Sequence, residues 1–471
     1  MQQINQIYIN GQFVTPHGTE LFDLYNPATA KPIGHVRLAD EQDALDAIQA
    51  AKQAFPNFSR TTKATRIDYL KRMHAAVVSV EAELTAAIIE EYGAPIARAV
   101  WMARHAANVL LDAANVLQDY HFTQRIGSAD VTMQPLGVAG LITPWNSNAG
   151  FICAKLAAAL AAGCTAVIKP SEMSALQTAI VTRALHQAGL PAGVFNIVTG
   201  RGETVGALLS KHPDIAKVSF TGSTAVGKHI LRAGAETLKR ITLELGGKSP
   251  VLILDDADFK QAVPMALQAG FMNSGQACVA GTRMLVPEHR LAEVEALIVE
   301  QIVNIHAGDP QDSNTSVGPM VSLKQWQRVQ HYIQIGIEEG AHLLAGGPGL
   351  PDGIEAGWFV RPTVFSRVTN QMKIAREEIF GPVLSVITYK DETQALAIAN
   401  DTPYGLQAYI LSSNAPKAHA LAAHIDAGRV LINTLAHEPR APFGGFKQSG
   451  IGREYGTFGL EAFMEPKSVL S

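Results

Sequence analysis

The chain has few cysteines and no apolar run long enough to cross a membrane. Its three cysteines, Cys153, Cys164 and Cys278, lack CxxC spacing. An odd number without that spacing argues against a disulfide framework and a structural zinc site, and it favours a reducing compartment. The longest apolar run, residues 156–168, is mostly alanine and falls short of the ~20 residues that a membrane span needs. It is therefore interpreted as a buried helix running into a strand.

Charge and short motifs exclude further classes of protein. The 471 residues carry a formal net charge of -4, so no electrostatic footprint for nucleic acid or an anionic membrane is visible. Residues 1–5 lack a basic region followed by an apolar core, which argues against a signal peptide, and we expect a cytoplasmic location. HExxH and comparable metal motifs are absent, so no metal site is predicted. The length predicts two or three domains.

Hydrophobic periodicity predicts an α/β protein. Residues 7–14 have the pattern of a hairpin with Asn10-Gly11 as its turn, and residues 40–57 and 62–120 have helical spacing. From about residue 136, strand-like runs alternate with helical segments, which predicts a parallel sheet. Strands are expected at 138–143, 166–170, 194–198 and 217–221, helices at 149–162 and 174–188, a second α/β block from 251 past 387, and a surface loop at 346–353. Residues 463–470 predict an extended strand, which either pairs with another element or subunit or frays.

Cys278 and Glu244 are the strongest candidates for chemistry. A free cysteine is usually a small buried hydrophobe, but the small residues of GQACVAG leave room for an electrophile. Glu244 precedes the pair Gly246-Gly247; it is either a capping or salt-bridged surface residue or a general base whose pKa is raised by partial burial. A thiol and a carboxylate suit attack on a carbonyl followed by hydrolysis of a thioester. No sequence signal identifies a histidine partner for a Cys-His hydrolase.

Two loops that follow predicted strands are further candidates. Asn146 could donate a hydrogen bond to an oxyanion, although an Asx turn or a helix N-cap is the commoner role. The segment 220–227 opens a helix with glycines that let the backbone approach a phosphate, but it is not GxGxxG. Gly247-Lys248-Ser249 matches the end of a P-loop, yet Thr242 stands where that loop requires glycine. ATP is therefore not the favoured nucleotide.

Seven motifs taken in order resemble the NAD(P)-dependent aldehyde dehydrogenase superfamily over nearly the whole chain: PWN, KPSE, FTGS, LELGGKSP, GQACVAG, EEIFGPV and PFGGFKQSG. The resemblance implies NAD-dependent oxidation of a small-molecule aldehyde to a carboxylic acid. It also implies an aldehyde dehydrogenase-like α/β fold and a homodimer or homotetramer. The implied parts are a Rossmann-like NAD-binding domain at 1–114 and 136–247, a catalytic α/β domain at 248–448 and a small β oligomerisation flap at 115–135 and 449–471.

The resemblance also implies roles for single residues. Cys278 would form a thiohemiacetal and then a thioester, with the oxyanion held by the Asn146 amide and the Cys278 N–H. Glu244 would activate water, and Lys155 and Glu454 would relay protons. The Glu172 carboxylate would accept hydrogen bonds from the ribose hydroxyls and repel a 2′-phosphate, so NAD is expected over NADP. Lys169, however, could tolerate the phosphate. The implied cofactor contacts are Ile142, Trp145, Lys169, Ser171, Glu172, Gly222, Ser223, Gly227, Leu245, Glu378 and Phe380.

Four positions on the implied aldehyde tunnel depart from the family pattern. Ser147 replaces a phenylalanine and Ala154 a bulky aromatic, which predicts a wider or more polar tunnel. His437 and Arg440 could meet a polar or acidic group of the substrate, or could be solvated loop residues. A larger, polar or acidic aldehyde is therefore expected. The alternatives are a CoA-acylating semialdehyde dehydrogenase, which would not need the base Glu244, and a catalytically silent nucleotide-binding protein.

Overall fold

The computed structural model describes residues 2–470 as two large sheets, two small sheets and the helices that cover them. The strands are β1 (Gln2–Ile4), β2 (Ile7–Ile9), β3 (Gln12–Val14), β4 (Leu21–Asn26), β5 (Lys31–Arg37), β6 (Thr123–Ile126), β7 (Ala129–Pro135), β8 (Val138–Ile142), β9 (Thr165–Lys169), β10 (Phe195–Ile197), β11 (Ile215–Thr221), β12 (Arg240–Glu244), β13 (Pro250–Ile253), β14 (Arg283–Pro287), β15 (His342–Ala345), β16 (Thr363–Ser366), β17 (Val383–Tyr389), β18 (Gln407–Leu411), β19 (Arg429–Ile432), β20 (Gly450–Ile451) and β21 (Met464–Leu470).

The helices alternate with the strands through most of the chain. They are α1 (Glu41–Phe58), α2 (Lys63–Val78), α3 (Glu81–Ala87), α4 (Ile96–Asp119), α5 (Asn148–Ala162), α6 (Ala175–Gln187), α7 (Ala207–Lys211), α8 (Thr224–Ala235), α9 (Phe259–Phe271), α10 (Leu291–Ile302), α11 (Leu323–Glu338), α12 (Lys373–Arg376), α13 (Glu392–Asn400), α14 (Ala415–Ala422) and α15 (Gly456–Glu461). Within residues 2–470, no helix combines the length and the apolar character that crossing a membrane requires.

The first large sheet has the order β20-β12-β11-β8-β9-β10-β2-β3, and its five central strands are parallel. Apolar side chains of α4 and α5 pack in one core cluster and those of α1 and α7 in another, so helices cover both faces of the sheet. The second sheet has the order β15-β16-β17-β14-β13-β18-β19 and is parallel except at β15. The predicted α/β class is therefore confirmed.

The C-terminal strand has its partner within the chain. β21 runs antiparallel to β7 from Met464, opposite Pro135, to Leu470, opposite Ala129, and β6 lies on the other side of β7. Three apolar side chains of this small sheet stay exposed: Ile126, Val469 and Leu470. The predicted strand is confirmed, and it is paired rather than frayed.

One predicted helix is divided. The helical pattern of residues 62–120 forms α2, α3, a π-helical turn at Ile88–Tyr92 and α4. Gly93 adopts a left-handed conformation with φ 79°, and Pro95 directly precedes α4. A left-handed glycine ends a helix, and proline lacks the N–H that would continue it. The hairpin at 7–14 is confirmed, with Asn10 at φ 52° and Gly11 at φ 80° in its turn.

The connection between the two large sheets positions the candidate site. β12 of the first sheet ends at Glu244, and β13 of the second begins at Pro250. The five residues between them form no helix or strand, and all five are buried. The glycine pair of LELGGKSP therefore crosses the crevice between the sheets, where ligands of α/β proteins usually bind.

Candidate active site

The loop that carries Cys278 is held by buried polar contacts. After α9 the chain turns through Asn273 and Ser274, whose φ angles of 53° and 58° are unusual for residues other than glycine. The Ser274 hydroxyl accepts a hydrogen bond from the Gly318 N–H at 2.9 Å. The Gln276 side chain accepts from the Val321 N–H at 3.0 Å and donates to the Pro319 carbonyl at 3.2 Å. These contacts fix the backbone next to the thiol and explain how the turn is sustained.

The glycine pair brings three functional segments together. A methyl group at Gly247 would lie within 3.0 Å of the Cys278 carbonyl oxygen, and one at Gly246 within 3.0 Å of a Glu378 carboxylate oxygen. The Gly247 N–H donates to the other Glu378 oxygen at 3.0 Å. The absence of side chains therefore lets the strand end that carries Glu244 approach both the cysteine loop and Glu378.

Glu244 is buried without a hydrogen-bond partner. It is 2 % exposed, and neither carboxylate oxygen has a partner among the described residues. Burial raises the pKa of Glu244 well above its ordinary value, and the nearby charge of Glu454 raises it further. The structure thus contradicts the alternative of a capping or salt-bridged surface glutamate. A carboxyl of this kind is suited to take a proton from a neighbouring water.

Cys278 rests as a thiol. Burial raises its pKa to about 12, and the charges of Glu378 and Glu244 act in the same direction. The other two cysteines, Cys153 and Cys164, are 0 % exposed, whereas Cys278 is partly accessible. Since the thiolate is the reactive form, the thiol proton must leave as the sulfur attacks.

Lys155 and Glu454 lie close enough to Glu244 for their charges to act on its pKa. The Lys155 ammonium is hydrogen-bonded to the Glu454 carboxylate and to the Ser219 hydroxyl, the latter at 2.9 Å. The same hydroxyl donates to Glu454 at 3.0 Å. Lys155 is 2 % exposed, so this triangle is shielded from solvent. Ser219 was missed by the sequence analysis because nothing in the β11 pattern distinguishes it from a core serine.

Asn146 lies against the cysteine loop. Its side-chain amide donates to the Gln276 carbonyl at 2.9 Å, which uses one of its two N–H groups. Asn273 donates to the Asn146 carbonyl and to the Gln276 carbonyl, both at 3.2 Å. Asn146 is therefore locked close to Cys278 with one N–H left for an oxyanion. The N-cap of α5 is Ser147, so the alternative of a capping role for Asn146 does not hold.

A cleft next to Cys278 is lined by part of the predicted cofactor set: Trp145, Gly222, Ser223, Leu245, Glu378 and Phe380. Ser223 caps α8 by accepting a hydrogen bond from the Val226 N–H at 3.4 Å. The Thr221 hydroxyl, also in the lining, is buried without a partner. Burial raises the pKa of Glu378 to about 7. Gln325, Arg328 and Tyr404 line the cleft too; they come from distant segments and carry no local sequence signal.

Lys169 and Glu172 form an ion pair near the end of β9. The Lys169 nitrogen lies 3.0 Å from the Glu172 carboxylate, and Arg201 lies 3.6 Å from it. Burial alone would raise the pKa of Glu172, but the charge and hydrogen bond of Lys169, the Glu172 backbone N–H and the charge of Arg201 together hold the pKa below its ordinary value. Glu172 is thus an ionised acceptor.

The other three predicted cofactor residues pack around the cleft without lining it. Ile142 lies in a core cluster of the first sheet. Ser171 caps the short turn at Glu172–Ser174, accepting from the Met173 N–H at 3.3 Å. A methyl group at Gly227 would lie within 3.0 Å of the Leu245 side chain. Gly227 therefore packs against Leu245, and its lack of a side chain allows α8 to approach the end of β12.

The predicted tunnel residues occupy different surroundings. Ala154 lines a cavity of about 50 Å³ together with Lys155, Glu454 and Tyr455. The Ser147 hydroxyl faces Gly150. The His437 ring packs against Tyr455 with ring centroids 5.2 Å apart. The Arg440 side chain, in contrast, is 79 % exposed, and its Nε lies 3.7 Å from a Glu438 carboxylate oxygen. Arg440 is thus a solvated loop residue.

The comparisons agree with this geometry. A sequence profile described as the aldehyde dehydrogenase family matches residues 13–469. A 3-succinoylsemialdehyde-pyridine dehydrogenase of a Pseudomonas species is 46 % identical over 472 residues, which cover 100 % of this chain and 99 % of that protein. Among solved structures, a mutant of aldehyde dehydrogenase C from Pseudomonas syringae, complexed with NAD+ and octanal, has a TM-score of 0.97 at 45 % identity and covers 99 % of this chain and 96 % of its own. A Mycobacterium tuberculosis aldehyde dehydrogenase complexed with NAD+ has a TM-score of 0.97 at 38 % identity, covering 100 % and 98 %.

Proposed function

Because the chain belongs to the aldehyde dehydrogenase family, we propose that it oxidises an aldehyde to a carboxylic acid with NAD, using Cys278 as nucleophile and Glu244 as base. The observation that supports this most strongly is the crevice between the sheets. There a partly accessible thiol lies next to a strand end that presents a buried, unpartnered carboxylate. This arrangement supports a nucleophile and a base that act in two successive steps on one carbon atom.

The proposed reaction begins with attack of the Cys278 sulfur on the aldehyde carbon. A C–S bond forms as the thiol proton passes to a water molecule at the partly accessible sulfur, and the free N–H of Asn146 donates to the oxyanion of the thiohemiacetal. NAD held in the cleft by Gly222, Ser223 and Glu378 would accept the hydride from this carbon, and a thioester would then remain on Cys278. Glu244 then takes a proton from water as the water oxygen attacks the thioester carbon. The C–S bond breaks, the carboxylic acid leaves, and the Cys278 thiolate takes up a proton from water to restore the thiol. Lys155 and Glu454 carry the released proton away from Glu244.

The cleft suits a dinucleotide. The N-terminus of α8 presents free backbone N–H groups beside Gly222 and Ser223, as a pyrophosphate requires. The orphan Thr221 hydroxyl and the Glu378 carboxylate are polar groups suited to a ribose. The ionised Glu172 would accept hydrogen bonds from the adenosine ribose, which favours NAD over NADP.

The wider architecture is also proposed from the resemblance. Residues 1–114 with 136–247 would form the NAD-binding domain, 248–448 the catalytic domain, and 115–135 with 449–471 an oligomerisation flap. The exposed apolar side chains of β6 and β21 support a homodimer or homotetramer built through that flap. Light scattering tests this assembly, and a monomer at all concentrations would contradict it. We further propose a cytoplasmic location, in keeping with three unpaired cysteines.

The experiment that tests the function is NADH formation by the purified protein over short aliphatic, long aliphatic, aromatic and carboxylate-bearing aldehydes. Cys278→Ala should abolish it. Cys153→Ala is the matched control, because Cys153 is fully buried in α5 and lies outside the cleft. A parallel reaction with CoA separates the alternatives, since acyl-CoA in place of the free acid would identify an acylating enzyme. NADH formation that survives Cys278→Ala would overturn the proposal.

A further inference from the structure

Arg429 is a half-buried cation whose hydrogen-bond partners within residues 2–470 are all neutral. At the start of β19, its guanidinium donates to the Gln407 side-chain oxygen from Nε at 2.8 Å and from Nη2 at 2.5 Å. Its Nη1 donates to His437 Nδ1 at 2.8 Å. No carboxylate within residues 2–470 pairs with it. Glu438, on the neighbouring loop, is exposed and accepts from the Arg440 N–H instead. A buried charge without a counter-charge is costly unless a ligand supplies one.

His437 adds a free donor beside this cation. Burial, followed by the charge of Arg429, lowers the pKa of His437 to about 4, so the ring is neutral near pH 7. Since arginine can only donate, Nδ1 is the acceptor and Nε2 carries the hydrogen. Nε2 is buried and has no partner among the described residues. The two side chains thus offer several N–H groups and no acceptor.

A series of rings joins this pair to the thiol and to the surface. Arg429 lies over the Phe443 ring at 5.1 Å, and Phe443 and His437 both pack on Tyr455. Burial raises the pKa of Tyr455, and the nearby charges of Glu454, Glu244 and Cys278 raise it further, so Tyr455 lies close to the reacting groups. On the outer side, the His437 ring meets His105, which stacks on the partly exposed Trp101 at 4.7 Å.

A second arginine extends the positive field toward the surface. Arg98 lies 4.0 Å above the Trp101 ring, and its Nε is buried without a partner. Burial lowers the pKa of His105 to about 4, and His437 and the charge of Arg98 act in the same direction. Arg98 near His105 and Arg429 beside His437 thus place two cations around the paired rings, and their field attracts anions.

Building on the proposed function, we propose that Arg429 and the Nε2–H of His437 bind a carboxylate at the far end of the aldehyde, so that the substrate is an aldehyde acid. The carboxylate supplies the counter-charge that the protein lacks and accepts the free hydrogen bonds. It also holds the aldehyde carbon toward Cys278. Arg440, exposed on the loop, takes no part.

The test compares kcat/KM for four- to six-carbon aldehydes that end in a carboxylate with n-alkanals of equal length. The wild-type protein should favour the aldehyde acids, and Arg429→Gln should reduce that preference roughly 10- to 100-fold, as expected for one charge-assisted contact. Arg440→Gln should keep the preference. Oxidation of alkanals without any preference for the acids would overturn this inference alone, whereas no oxidation of any aldehyde would overturn the proposed function.

Two further measurements keep the inference testable. The first does not require Arg429→Gln to fold, and the second asks whether Arg429 acts on the Cys278 thiol instead of on the substrate. Succinate and glutarate should inhibit the wild-type protein competitively with the aldehyde, and His437→Phe, which keeps the ring contacts, should weaken that inhibition. The pH dependence of Cys278 alkylation should be similar in Arg429→Lys and wild type. Absence of dicarboxylate inhibition, loss of the acid preference in Arg440→Gln, or a large shift of the alkylation profile would each contradict the assignment.

Discussion

Replacing Glu244 with glutamine separates the two chemical steps. Glutamine matches the size and shape of the glutamate side chain and is neutral, which suits a buried position where burial raises the pKa of the carboxyl well above its ordinary value. The substitution therefore leaves the fold and the approach of aldehyde to Cys278 intact. It removes the base that activates water, and such bases contribute about 10²- to 10⁴-fold. Thioester hydrolysis should slow by that factor.

Rapid mixing with NAD and aldehyde measures both steps. Glu244→Gln should still give a burst of NADH equal to the enzyme concentration, and the steady rate after it should fall by the factor above. In the wild-type protein the steady rate should rise with pH as Glu244 ionises, and this rise should disappear in the variant. Equal loss of burst and steady rate would refute the assignment, because it would place Glu244 in the first step or in folding.

The same variant predicts a change in stability. A carboxyl whose pKa is higher in the folded state binds its proton more tightly there. Its contribution to the free energy of unfolding is therefore complete below the unfolded pKa and is lost as pH rises through the folded pKa. Because glutamine does not ionise, Glu244→Gln does not lose this stabilisation as pH rises. Its thermal midpoint relative to wild type should therefore increase with pH, and a constant difference across the range would contradict the burial argument.

Three other substitutions test the cofactor and oxyanion contacts. Gly246→Ala places a methyl group within 3.0 Å of a Glu378 oxygen and should raise KM for NAD roughly tenfold, whereas Gly202→Ala, which meets open space, should not. Glu172→Ala should shift the ratio of kcat/KM for NAD over NADP toward NADP by about tenfold or more, and an unchanged ratio would remove Glu172 from the ribose site. Asn146→Ala should lower kcat by about 10²- to 10³-fold with little change in KM, and a much smaller loss would count against the oxyanion role.

Much of the fold could be predicted because the signals are local. The Asn10-Gly11 turn, the alternation of strands and helices after residue 136 and the last strand all depend on neighbouring residues. The division of the 62–120 helix also had a local signal at Gly93 and Pro95, but the helical periodicity on either side outweighed it.

The site was only partly predictable. Cys278, Glu244 and Asn146 each stand in a distinctive segment, and the structure brings these segments close to one another. Arg429 has no such segment, since an arginine at the start of a strand is ordinary. Arg429 is notable because no carboxylate within residues 2–470 pairs with it. This depends on the tertiary contacts that Gln407 of β18 and His437 and Phe443 of the 437–443 loop make with its guanidinium. For the same reason Arg440, in the more suggestive loop, lies in solvent.

The placement of β20 has a consequence for the order in which the protein can mature on the ribosome. β20 pairs with the end of β12, opposite Leu243 and Glu244, and the Ser449 carbonyl accepts from the Leu245 N–H at 2.9 Å. Glu454 and Tyr455 follow directly. Cys278 is therefore translated well before the segment that completes its surroundings. A nascent chain carries the thiol without its finished enclosure, and catalytic competence arises only once the segment around residue 450 has left the exit tunnel.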